Sequence, residues 1–149
     1  MFAAVFSALH LLALAIGLPS VFLRGRALNG PLDDSGLRRL FAADTVWGIA
    51  AGIWILTGLM RAFGGLEKGS AFYLASSSFW LKMGLLLAIL VLEVWPMVTF
   101  IRWRIRRRQG GQLATGRAAQ LYLVNQVQLG LVILMVFVAS FMARGLSLG

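Results

Sequence analysis

Lys82 is a formal charge inside an apolar run, Ala71 to Phe100, that is long enough to cross a bilayer. Such a charge costs from about 3 kcal/mol on insertion scales to more than roughly 10 in simulations, so its default reading is functional, with an anion as its partner. The only histidine, His10, lies in a second apolar run, Phe2 to Leu23. An imidazole held in hydrocarbon either donates to a backbone carbonyl or neighbouring hydroxyl, or serves as an axial ligand to heme iron. Glu93 follows Lys82 by eleven residues, close to three helical turns, so the two share a face but lie roughly 16 Å apart and cannot pair. Asn125 and Gln128, one turn apart in a fourth apolar run, read as interhelical hydrogen-bonding groups.

The elements that position these residues follow from composition. Hydrophobic residues make up 60% of the 149, only 13% are charged, and mean hydropathy is +0.85, which excludes a soluble core. Four stretches are long enough to span: Phe2 to Leu23, Phe41 to Met60, Ala71 to Phe100 and Ala118 to Met142. The expected fold is therefore all-α, an integral membrane four-helix bundle forming one domain over residues 1–149. The first run exceeds the apolar stretch of a signal peptide, has no basic segment before it and no A-x-A site after it, so it reads as a span. With no cysteine, disulfides and thiolate metal sites are excluded. No phosphate loop, HExxH, GxSxG or paired-carboxylate pattern is present, and one histidine cannot build an ordinary protein-only zinc site. Six scattered methionines leave copper handling as a minor reading.

The net charge of +9 does not point to nucleic acid, because of where the basic residues fall. Arg24, Arg26, Arg38 and Arg39 follow the first span, and Arg102, Arg104, Arg106, Arg107, Arg108 and Arg117 follow the third. Only Arg61, Lys68 and Arg144 lie on the opposite side. The positive-inside rule then makes loops one and three cytoplasmic and leaves both termini periplasmic or exterior in a bacterial inner membrane. The arginine run is expected to touch anionic lipid and anchor the topology.

Helical spacing decides which groups can meet. Ser7, His10, Leu14, Gly17, Val21 and Arg24 recur at three and four residues, so this face of span one looks into the bundle. Lys82 and His10 reach roughly 16 and 12 Å in from the outer ends of their helices, which permits a shared site in the outer half. Arg61, at the outer end of span two, is a further candidate contact for a ligand there. Asp44 is expected to neutralise arginines of the first or third loop. Trp47, Trp95 and Trp103 read as interfacial anchors. Gly48, Gly52 and Gly58 read as points of close helix approach, and Pro19 and Pro96 as kinks inside spans one and three. Asn29-Gly30-Pro31 and Asp33-Asp34-Ser35 predict a turn and cap before a short helix, Ser35 to Leu40.

Several segments carry a family resemblance: Ala8-Leu-His-Leu-Leu-Ala13, Asp44-Thr-Val-Trp-Gly48, Phe79-Trp-Leu-Lys82, Trp95-Pro96 with Phe100-Ile-Arg-Trp-Arg104, and Met142-Ala-Arg-Gly145. Across the whole chain these resemble a bacterial family of small four-span membrane proteins with no assigned function. More distantly, His10, Lys82 and Asn125 in spans one, three and four are similar to the pattern of HemJ-type protoporphyrinogen oxidases and CopD-type membrane domains. The resemblance implies heme b bound through His10 to the iron. It places Lys82 near a tetrapyrrole carboxylate, as the catalytic residue if the protein is an oxidoreductase. Gln126 stands after Asn125, where the HemJ-type pattern has an acidic residue.

The leading expectation is a heme-associated redox or tetrapyrrole-handling membrane protein, its ligand tetrapyrrole or quinone-like. His10, Lys82, Arg61 and Asn125 would contact the cofactor, and Glu93, Asn125 and Gln128 would form a polar route to the cytoplasm. The alternative is a noncatalytic bundle that assembles as a homo-oligomer or beside a larger membrane complex, suited by the glycine, alanine and tryptophan of spans one and two.

Overall fold

The computed structural model describes residues 1–64 and 77–144, which form helices α1 (Phe2–Leu28), α2 (Asp34–Phe63), α3 (Ser77–Arg108) and α4 (Ala118–Ala143). The glycine-rich loop residues from 65, with Lys68, and the expected start of span three at 71–76 lie outside the described residues. The helices contain 27, 30, 32 and 26 residues. At about 1.5 Å per residue each exceeds a hydrocarbon core of about 30 Å, so their ends reach the headgroup region.

Three helices run further than their apolar stretches, all at the arginine-rich end. α1 continues through Arg24 to Leu28, and α3 through Arg102 to Arg108. No separate helix covers Ser35 to Leu40, because nothing between Leu40 and Phe41 breaks the backbone ladder, and the segment is the first turns of α2. A helix keeps satisfying its own backbone as it leaves the apolar layer, whereas hydropathy reports only the layer itself. α1 and α3 likewise continue through Pro19 and Pro96.

The start of α2 is set by Asp33, whose carboxylate accepts from the Gly36 amide at 2.7 Å and from the Ser35 hydroxyl at 2.9 Å. The Gly36 amide, with the Ser35 hydroxyl, holds this carboxyl below the usual carboxylate range. A depressed folded value means the cap supports the helix above the unfolded pKa and fails as pH falls through the lower, folded one. Amide exchange at Gly36 is therefore expected to accelerate only in acid below the ordinary aspartate range, and in Asp33→Ala to be fast at neutral pH. Equal protection in the variant would remove the cap from this account.

Close backbone packing joins α1 to α2, α3 to α4 and α1 to α4, so two helical hairpins meet along α1 and α4, and no comparable packing joins α2 to α3. Gly17 of α1 permits one approach, since a Cβ there would sit 3.3 Å from that of Ala50. Gly48 and Gly52 face open space and are not approach points, whereas Gly58 lies against His10. The exterior carries Leu11, Leu12, Ile16, Leu56, Leu87 and Val91, while Arg24, Asn125 and Gln128 are fully buried. Apolar outside and polar inside is the arrangement a lipid solvent favours, where helices gain little by hiding aliphatic groups from one another. Trp47 and Trp103 are buried in the bundle rather than anchored at its surface, each only 4% exposed.

Candidate functional site

Two constellations occupy opposite halves of the bundle. The first, toward the arginine-rich end, is organised by Arg24. The 3.6-residue period carries it onto the inward face of α1 above Gly17 and Val21, both buried. All five of its N–H groups have acceptors on the other three helices. Nε donates to Asn125 Oδ1 at 2.7 Å, and Nη1 to Asp44 Oδ1 at 3.1 Å and Glu93 Oε1 at 2.7 Å. Nη2 donates to Glu93 Oε2 at 3.0 Å and Gln128 Oε1 at 2.9 Å. The two-pronged contact with Glu93 uses the planar fork that only arginine offers.

The acceptors are themselves held. Glu93 Oε2 also accepts from Gln128 Nε2 at 2.6 Å and Trp47 Nε1 at 3.2 Å. Asn125 Nδ2 donates to the Val21 carbonyl at 2.9 Å. Arg104 donates to Asp44 Oδ2 and to the Phe41 carbonyl, both at 2.9 Å, so Asp44 bridges an arginine of α1 and one of α3. The guanidinium of Arg24 also lies 5.8 and 6.0 Å from the Phe100 and Trp47 ring centres. Two arginines and two carboxylates leave this clasp neutral, which is what makes a buried charge tolerable.

Asp44 thus pairs with arginines following both spans one and three, as its position at the membrane end suggests. Glu93, Asn125 and Gln128 do meet, linked through Arg24 and by the Gln128–Glu93 contact. An apolar layer of Ala13, Trp54, Ile89, Val132 and Met135 lies in the same core. Arg24 itself, counted by sequence among loop charges, is fully buried. The signal for it was its place on the His10–Gly17–Val21 face.

The second constellation is a cavity of about 520 Å³ toward the end carrying the termini, lined by all four helices. Its wall includes His10 of α1, Trp54 and Arg61 of α2, Lys82 of α3 and Ser140 of α4, set among Leu14, Leu86, Phe79 and Met135. His10, Lys82 and Arg61, from three helices, therefore share one site. Asn125 does not line it and belongs to the Arg24 clasp.

His10 is oriented by α2. Its Nδ1 lies 3.1 Å from the Trp54 carbonyl and 3.0 Å from Thr57 Oγ1. A carbonyl can only accept, and the Thr57 hydroxyl already donates its one hydrogen to the Ile53 carbonyl at 2.7 Å. A proton on Nδ1, donated to the Trp54 carbonyl, satisfies both contacts. The imidazole also stacks on Trp54, with ring centres 5.7 Å apart. Trp54 and Gly58 lie on the face of span two that leads to Arg61, but Thr57 carries no signal in the sequence that would mark it as a histidine partner. Among the described residues no cluster of three or more histidine, cysteine or acidic side chains could hold a metal ion.

Four helices long and apolar enough to cross a membrane, polar within and apolar without, define a multi-span helical membrane protein. Residues 2–147 match the model of DUF2214, described as a predicted membrane protein, and the chain belongs to that family. The resemblance of its segments to a family of small membrane proteins without assigned function agrees with this membership. No curated protein and no solved structure gives a significant match.

Proposed function

We propose that this membrane protein binds heme b in the cavity shared by His10, Arg61 and Lys82, and serves redox or tetrapyrrole handling in the bacterial inner membrane. The observation that carries the reading is the orientation of His10 in the cavity wall: its Nδ1 is held by a backbone carbonyl and a threonine hydroxyl of α2. An oriented imidazole of this kind is how proteins present histidine to a metal.

The remaining residues suit the same ligand. A cavity of about 520 Å³ with mainly aliphatic and aromatic walls matches the size and lining of small-molecule and cofactor sites. Arg61 and Lys82 supply positive charge for the carboxylates of a tetrapyrrole, and Arg61 can hold one with two parallel hydrogen bonds. Heme, when bound, supplies one-electron chemistry; the chain's part is to ligate through His10, balance carboxylate charge through Arg61 and Lys82, and exclude water with Phe79, Leu86 and Met135. The positive-inside rule sets the arginine-rich end toward the cytoplasm and the cavity in the outer half of the membrane.

Purified protein supplied with hemin is expected to give a reduced-minus-oxidised spectrum with a Soret band that is lost in His10→Ala. No Soret band in the wild type, or one unchanged in His10→Ala, overturns the proposal.

A further inference from the structure

Trp54 makes an unusual demand on whatever fills the cavity. Its side chain is only 8% exposed and forms part of the cavity wall, between the His10 ring that stacks on it and the core cluster with Ile89 and Met135. Its indole Nε1 is sealed from solvent and, among the described residues, has no hydrogen-bond acceptor. The contrast lies two turns away on the same face of the helix, where the indole of Trp47 donates to Glu93 at 3.2 Å. A buried donor left unmade carries the full cost of its desolvation, and hydrocarbon offers no compensating water. Native interiors keep such groups rarely, and a functional role is one of the reasons they are kept.

We infer that Trp54 is a specificity-determining residue, whose indole N–H donates to a carboxylate oxygen of the molecule held in the cavity. The inference deepens the reading of the cavity as a carboxylate-bearing ligand's site and rests on it. Arg61 lies seven residues beyond Trp54 on α2, roughly 10 Å along the axis, so the cavity offers carboxylate oxygens one neutral donor beside His10 and cationic donors nearer the helix ends. Ligands without that oxygen leave the donor buried and unpaired, which is how a polar group in an apolar pocket rejects near analogues.

The test uses the full chain in lipid nanodiscs with its tryptophans labelled with nitrogen-15. The Trp54 indole resonance is assigned by its loss in Trp54→Phe, or by sequential connectivity should that variant not fold. In the ligand-free protein it is expected at the position of an unbonded N–H, and to move downfield with zinc protoporphyrin, a diamagnetic tetrapyrrole carboxylate. Laurate, a carboxylate with no metal, is expected to move it in the same direction. Trp54→Phe is expected to bind hemin roughly tenfold to a hundredfold more weakly, with the Soret position unchanged because His10 still ligates the iron.

An indole already hydrogen-bonded in the ligand-free protein, unmoved by both bound probes, or a Trp54→Phe variant with wild-type hemin affinity, overturns the inference. A Soret band with a stationary Trp54 resonance leaves heme binding standing and removes Trp54 from it. A resonance moved by laurate in a protein that gives no Soret band does the reverse. Failure of every probe to bind removes both.

Discussion

Replacing Arg24 with methionine is expected to destabilise the bundle by about 3–5 kcal/mol, the range seen when one partner of a buried ion pair is removed. The substitution nearly conserves the length of the side chain, so the loss is electrostatic. Glu93 and Asp44, with side chains 20% and 11% exposed, lose a shared cation, and Asn125 and Gln128 lose their donors at the same time. Arg104 still holds Asp44 at 2.9 Å, which leaves Glu93 as the group that carries most of the penalty. Adding Glu93→Gln to Arg24→Met is therefore expected to recover part of the loss, with a coupling of about 0.5–3 kcal/mol in the double-mutant cycle. Arg24→Lys is expected to recover less, because an ammonium has three donors and no fork for five acceptors on three helices. The measurement is reversible unfolding in mixed micelles. A loss no larger than that of exposed Arg38→Met would show that the clasp contributes nothing to holding the helices together.

Gly25→Ala should have the next largest effect, from a single added methyl. The new Cβ would lie 2.6 Å from Asn125 Nδ2, closer than real Cβ atoms tolerate, and 3.2 Å from Gln126 Oε1, which is tight. Gln126 is exposed and can swing away, but Asn125 is pinned by Arg24 on one atom and the Val21 carbonyl on the other. Either one of those bonds breaks or α1 and α4 move apart, at a cost of about 1–3 kcal/mol by analogy with overpacked cores. Gly48→Ala and Gly52→Ala provide the control, because their Cβ atoms would meet nothing within 4 Å. Those two changes are expected to be neutral, or to stabilise by up to about 1 kcal/mol through helix propensity. If all three glycines respond alike in the unfolding midpoint, the close contact between Gly25 and Asn125 is not what the alanine disturbs.

The unequal legibility of the two constellations has a physical origin. His10 and Lys82 stand out because a polar group inside a long apolar run violates the solvent it is in, and their depths along two helices already permit a shared site. Arg24 gives no such signal: near the end of an apolar stretch an arginine is where topology rules place a lipid-facing cation. Only its position on one helical face separates it from Arg26, which lies in the last turn of the same helix. Hydropathy underestimates α1, α2 and α3 for a related reason, since it follows the apolar layer whereas the backbone ladder continues beyond it. Trp47 and Trp103 mislead in the same way, because amphipathic rings near membrane ends are anchors by rule, yet here they turn inward against Glu93 and Phe100.

The sequence by itself determined the class, the four spans and the residues whose burial would be costly, because the price of polarity in hydrocarbon is paid locally and can be read residue by residue. It also determined the faces, through a period that the α-helix imposes whatever its neighbours. What only the tertiary structure decided is which faces meet. Two hairpins joined along α1 and α4 bring Asp44, Glu93, Asn125 and Gln128 around Arg24, and leave toward the other end the space that His10, Arg61 and Lys82 line. That choice depends on contacts between residues as much as 104 positions apart, such as Arg24 and Gln128, and no local rule of propensity or hydropathy contains them.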